Sequence, residues 1–178
     1  DTIARAAPSR KVTLPDFEPF EKFLFEKGFK VVRAANLCQV DNQFSGTDAE
    51  RISAMNDLFE NPDVKAIIAV RGGYGAARIV DQLNWKALLN HPKWLCGFSD
   101  FTVLLNHQYA CNGLPTMHSD MAVHFGQNGY EDNFSSMMDA LTGTPISMRI
   151  SGHPFNRPGK ANGILVGGNL SVLYSMLG

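Results

Sequence analysis

Residues 65–83 read KAIIAVRGGYGAARIVDQL. Lys65 to Val70 is a short, continuous apolar run of the kind that forms a strand buried on both faces. Arg71 to Gly75 is a glycine-rich turn, and residues 76–83, AARIVDQL, continue as a helix. Strand, tight turn and helix make the opening of a βαβ unit, and the same alternation extends in both directions. Upstream, Thr2 to Ala7 reads as a first strand ended by Pro8 and Ser9, although Arg5 interrupts its apolar character. Phe17, Phe20, Phe23 and Leu24 recur at helical spacing between Phe17 and Lys27, and Gly28 supplies the stop. Phe29 to Arg33 is the second strand. Thr47 and Glu50 form the T-x-x-E capping box of a helix running to Glu60, where Asn61 and Pro62 end it.

Downstream, a short helix at Trp85 to Leu89 leads into a strand at Lys93 to Phe98. FTVLLNHQYACN, 101–112, reads as a helix closed by Gly113. A short strand at 116–118, a helix at 134–141 and a strand at Ile146 to Ile150 complete the pattern. Strands alternating with helices predict an α/β fold in three layers, a mostly parallel sheet with helices on both faces. The polar stretch NLCQVDNQFSG, 36–46, reads either as a surface loop with a task or as a tolerated insertion, and the second is favoured. SGHPFNRPGKANG, 151–163, is rich in proline and glycine and marks a boundary. The expected organisation is therefore an α/β domain over 1–150, a linker over 151–162, and at 163–178 a strand, a tight turn and half a helix that begin an incomplete second domain.

The 16 Lys and Arg against 17 Asp and Glu give a formal net charge of -1, which leaves no basic field for nucleic acid or an anionic membrane. Cys38, Cys96 and Cys111 are widely spaced, with neither a CxxC pair nor a zinc-finger pattern, and they point to a reducing compartment, the cytoplasm. No apolar run reaches the roughly 20 residues of a membrane span. The chain starts at Asp1, which leaves an upstream segment open.

In an open parallel sheet, ligands bind beyond the carboxyl ends of the strands, where helix N-termini present unpaired amides. Two loops hold that position, Arg71 to Gly75 and Gly97 to Asp100. In GFSDF, 97–101, Ser99 follows a buried strand and precedes a helix, as in a nucleophile elbow, although Phe101 stands where G-x-S-x-G has its second glycine. The competing reading makes Ser99 the N-cap of the helix. RGGYG is either a phosphate cradle, a tight turn needing positive φ, or an oxyanion donor; Arg78 stands where G-x-G-x-x-G has its third glycine, and no P-loop Lys-Ser/Thr is present. In a hydrolase the amides of Gly73 and Asp100 would form the oxyanion hole. Arg71 reads as a substrate contact or as a surface arginine.

VRGGYGAARIVDQL (70–83), KWLCGFSDFTVLL (93–105), LPTMHSDMAVHF (114–125) and GILVGGNLSVL (163–173) together resemble the muramoyl-tetrapeptide LD-carboxypeptidases and their microcin-immunity relatives. The resemblance implies an N-terminal domain like that of class I glutamine amidotransferases, and a serine peptidase that releases terminal D-alanine from a murein peptide in peptidoglycan recycling. It implies neither metal nor organic cofactor. Ser99 matches the nucleophile, the Gly73 and Asp100 amides the oxyanion hole, and His118 a pocket histidine that Gly-Pro usually follows, where this chain has Ser119 and Asp120. The family's catalytic Glu and His lie C-terminal to the GGNL block, beyond Gly178, so the chain alone is expected to be inactive. His107, eight positions after Ser99, would stand roughly 12 Å along the helix and out of reach; His118 reads as structural or substrate-contacting, and activity of this chain alone would turn the search for a base to His118, His124 and their neighbours. A true amidotransferase would need cysteine at the elbow, and Cys96 falls three residues early. The alternatives are a non-catalytic binding or scaffold domain, and a microcin-immunity-type peptidase acting on acyl-adenylate analogues. A peptide substrate is the expected partner, and a homodimer is one way to cover the apolar C-terminal segment.

Overall fold

The computed structural model describes residues 1–177. Five parallel strands, β1 (Thr2–Ala6), β2 (Lys30–Arg33), β3 (Val64–Ala69), β4 (Trp94–Gly97) and β5 (Met117–His118), form one sheet in the order β2-β1-β3-β4-β5. Between and after them lie α1 (Glu18–Glu26), α2 (Asp48–Glu60), α3 (Ala76–Ile79), α4 (Ala87–Asn90), α5 (Thr102–Asn112), α6 (Glu131–Leu141) and α7 (Leu170–Ser175). The three-layer α/β expectation holds.

Side chains on a strand alternate between faces, and both faces here are apolar. From β3, Ile67 and Ala69 join Met55, Leu58, Phe59, Ile79 and Leu104 on one side. Ala66 and Ile68 join Phe17, Phe20, Leu24, Phe134 and Met137 on the other. That double burial is why KAIIAV carries no alternation. α2 starts where the capping box is complete, with the Thr47 hydroxyl accepting from the Glu50 amide and the Glu50 carboxylate accepting from the Thr47 amide. α5 ends at Gly113, whose φ of 66° is left-handed.

Arg5 does not interrupt β1. Its guanidinium is fully buried and donates to Glu21 of α1 at 2.7 Å, and Arg33 of β2 closes on the same carboxylate. Burial pulls the Arg5 pKa down to about 10, against the opposing pull of Glu21. Burial would raise the Glu21 pKa, but the hydrogen bond from Arg33 and the two arginine charges outweigh it and hold the carboxyl below its ordinary value.

Four sequence expectations are corrected. AARIVDQL is not one helix: α3 gives way at Val80 to a single tighter turn, Val80–Gln82. Residues 36–46 are not a loose insertion. The buried Asn36 donates to the carbonyls of Ala7 and Ser45, at 2.8 and 2.9 Å, and the Ser45 hydroxyl returns to the Asn36 carbonyl. Residues 146–150 form no strand, and neither does ILV at 164–166, where Leu165 is 95% exposed; among the described residues no neighbouring strand offers either segment a ladder. α7 does form, and its approach is tied down. Asn169 donates its amide to the Thr102 hydroxyl at 3.1 Å, Asn106 donates to the Gly167 carbonyl at 3.1 Å, and a Cβ on Gly168 would clash with Thr102 Cγ2.

Candidate active site

The loops after β1, β3, β4 and β5 meet at the carboxyl edge of the sheet. Ser99 stands at the end of β4 with φ of 57°, a left-handed conformation that a residue with a side chain adopts at a cost of about 1–3 kcal/mol. It opens the single tight turn Ser99–Phe101 that runs into α5. Phe98 caps that turn, and no side chain makes a capping hydrogen bond, so the N-cap reading of Ser99 fails. Strain at a serine between a buried strand and a helix is the geometry of a nucleophile elbow.

Gly72 explains the first glycine of RGGYG: a Cβ there would meet Ser99 Cβ at 2.9 Å and Oγ at 3.1 Å. Gly73, with φ of 124°, lies against Arg10, whose Cβ would be 2.7 Å from an added Cβ. No protein acceptor is matched to the N–H of Gly73 or of Asp100 among the described residues.

The Asp100 side chain is buried and binds the loops together. Its Oδ2 accepts from the Ser9 hydroxyl at 2.6 Å and from the Ala76 amide at 2.8 Å. Arg51 does similar work from α2. Fully buried, it donates through Nη1 to the carbonyls of Pro8 at 2.5 Å and Gly75 at 3.0 Å, and through Nη2 to Asp48. Its guanidinium also lies 4.8 Å from the centre of the Phe44 ring, which packs on Tyr74. The hydrogen bond from Arg78 leads the interactions that hold the Asp48 carboxyl below its ordinary value, against desolvation. The 36–46 segment thus braces the RGGYG turn, a role that its polar composition did not disclose.

A cavity of about 420 Å³ is lined by Arg10, Arg71, Gly72, Gly73, Phe98, Ser99, Met121, Val123, His124 and Gln127. It brings together Ser99, Gly73 and Arg71 from the expected set, beside Asp100. His118 is exposed and lies elsewhere, in an adjoining cavity of about 450 Å³ with Tyr130, Asn133 and Met148. The imidazole facing Ser99's cavity is that of His124. Its Nδ1 pairs with Asp120 Oδ1 at 2.5 Å, its ring lies 4.7 Å from that of Tyr130, and the other Asp120 oxygen accepts from Asn133 at 2.8 Å. Sequence reading missed Ser9, Arg10, Arg51 and Asp120, and held His124 only in reserve as a base. Asp120 reaches His124 from an extended approach to the Ala122–His124 turn, so no helical spacing announced the pair, and the others depend on loop closure over tens of residues. His107 pairs with Cys111 at 3.2 Å on the outer part of α5, away from this cavity. Burial pushes the Cys96 thiol far up, which removes it as a nucleophile. Among the described residues no group of His, Cys, Asp and Glu is arranged to hold a metal ion.

The LD-carboxypeptidase N-terminal domain of peptidase family S66 matches residues 3–119. The probable murein peptide carboxypeptidase of Bacillus subtilis is 31% identical over 189 residues, covering 100% of this chain and 57% of that protein. The murein tetrapeptide carboxypeptidase of Pseudomonas aeruginosa is 31% identical over 144 residues, covering 75% of this chain and 46% of that one. A solved structure of the microcin C7 self-immunity protein MccF in complex with aspartyl sulfamoyl adenosine superposes with a TM-score of 0.85 at 27% identity, covering 100% of this chain and 63% of that one. The chain therefore spans less than two thirds of the length of these relatives.

Proposed function

The chain belongs to the LD-carboxypeptidase family, peptidase family S66, and on that premise we propose that it is the nucleophile-bearing part of a serine-type carboxypeptidase that releases D-alanine from a murein tetrapeptide. The observation that carries this reading is the left-handed Ser99 at the carboxyl end of β4, over Gly72. In the proposed reaction Ser99 Oγ attacks the carbonyl carbon of the L,D-amide and its proton passes to a base. The tetrahedral oxyanion is held by the amides of Gly73 and Asp100, the role in which preorganised donors contribute most. The C–N bond then breaks, the amine of D-alanine leaves with a proton, and water hydrolyses the acyl-serine.

A serine hydroxyl without a base is a weak nucleophile. In this reading residues 1–150 form the nucleophile domain, 151–162 the linker, and 163–178 the start of a second domain that supplies Glu and His. The anchoring of Asn169 on Thr102, the first residue of α5, and of Gly167 on Asn106, one turn further on, supports it, because the chain is led back to the site. The proposed setting is the cytoplasm; no helix is long and apolar enough to cross a membrane among the described residues. A homodimer is proposed as a cover for the exposed Ile164, Leu165 and Leu170.

A second reading, a peptidase acting on acyl-adenylate analogues, is favoured by the structural likeness to MccF, whose solved structure holds aspartyl sulfamoyl adenosine. Release of D-alanine from a murein tetrapeptide by the full-length polypeptide, lost in Ser99→Ala with folding preserved, is the expected result. Cleavage of a peptidyl sulfamoyl adenosine with no D-alanine release would favour the second reading, and turnover in Ser99→Ala would overturn both.

A further inference from the structure

The permanent charges lining the Ser99 cavity are two arginines, Arg10 and Arg71, and among the described residues no Asp or Glu lines it. Elsewhere in the sheet domain arginines are neutralised: Arg5 and Arg33 by Glu21, Arg51 and Arg78 by Asp48. Arg10 and Arg71 have no carboxylate within ion-pair distance among the described residues. A guanidinium stays charged at any physiological pH and offers a fork of N–H donors matched to a carboxylate. Two such groups, unneutralised and facing one cavity, make a seat for an anion.

The backbone places Arg10 for this work. It bridges to Phe44 in the braced 36–46 segment, follows Ser9, which Asp100 holds, and rests its Cβ against Gly73. The residue is thereby fixed beside the same turn that carries the proposed oxyanion amide. Val123, which also lines the cavity, donates its amide to the Val70 carbonyl at 3.0 Å, which ties the short His124 turn to the end of β3, and Asp120 orients the ring through Nδ1.

We infer that Arg10 and Arg71 form an anion subsite in the Ser99 cavity that receives the terminal carboxylate of the peptide, with Arg10 as a specificity-determining residue. The inference rests on the carboxypeptidase reading and deepens it. It explains how an enzyme built on this site would prefer the last residue of a chain: the carboxylate is anchored within one residue of the carbonyl that Ser99 attacks.

The test is steady-state kinetics of the full-length polypeptide on a murein tetrapeptide ending in D-alanine and on the same peptide ending in D-alaninamide. Arg10→Gln should raise KM for the acid about tenfold, the scale of one charged hydrogen bond, leave kcat within about twofold, and leave the amide unaffected. Arg10→Lys should recover part of the loss. Equal effects on acid and amide, or none on either, overturn the inference while loss of turnover in Ser99→Ala leaves the carboxypeptidase reading standing. If Ser99→Ala turns over normally, that reading falls, and the subsite is judged by binding alone. Arginine Nε–H resonances should then shift with N-acetyl-D-alanine and not with its amide in the wild type, and lose that preference in Arg10→Gln; equal shifts for both ligands overturn it.

Discussion

The Asp100 carboxylate accepts the Ser9 hydroxyl at 2.6 Å, across 91 residues of sequence, and the same oxygen accepts the Ala76 amide. One buried side chain therefore fixes the loop after β1 and the start of α3 to the turn that carries Ser99. Asp100 serves the proposed site twice, with its amide toward the oxyanion and its carboxylate as the clamp.

Asp100→Ala should leave the Ser9 hydroxyl and the Ala76 N–H without their acceptor in a buried place, at a cost of about 1–3 kcal/mol for each unsatisfied group. Ser9→Ala removes one bond and should cost about 1 kcal/mol. Urea denaturation of the two variants checks the order. A smaller loss in Asp100→Ala than in Ser9→Ala would show that the carboxylate is not the hub.

Gly72 and Gly73 should fail for different reasons. A methyl on Gly72 would press directly on Ser99, whereas Gly73→Val would meet Arg10 and is strained at φ of 124°. Both changes should lower kcat by about 10²-fold or more, the scale of losing one oxyanion donor. Steady-state kinetics of the full-length polypeptide decide it, and wild-type turnover in Gly73→Val would reduce the turn to a connector.

The Arg5, Glu21 and Arg33 cluster governs stability in acid. Glu21→Ala strands a fully buried arginine and should cost about 3–5 kcal/mol, whereas Arg33→Ala, removing a half-exposed partner, should cost under about 1 kcal/mol. Because the folded Glu21 carboxyl lies below its ordinary value, its stabilisation is complete above about pH 4.3 and is lost as pH falls through the folded value. Unfolding free energy measured from pH 6 down to about 3 should fall less steeply in Glu21→Ala than in the wild type; parallel curves would remove Glu21 from the account.

The layers and the elbow were legible because they are written locally. KAIIAV announces a doubly buried strand, Thr47 and Glu50 announce a helix start, and GFSDF sits at a strand end. Arg5 was opaque because its partner Glu21 belongs to another element, and the bracing by Arg51 and Asn36 was opaque for the same reason. ILV at 164–166 misled in the opposite way: its residues favour a strand, but a strand needs a neighbour, and among the described residues none lies beside it. The resemblance pointed to His118, which lies in the adjoining cavity across Phe98, and the turn Ala122–His124 carries a second imidazole to the Ser99 cavity.

If Ser99 is the nucleophile, peptide mapping by mass spectrometry after the full-length polypeptide has reacted with an activated peptidyl phosphonate will find a single phosphonylated serine, Ser99, and no labelling in Ser99→Ala. A label on another serine, or undiminished labelling of Ser99→Ala, refutes the assignment.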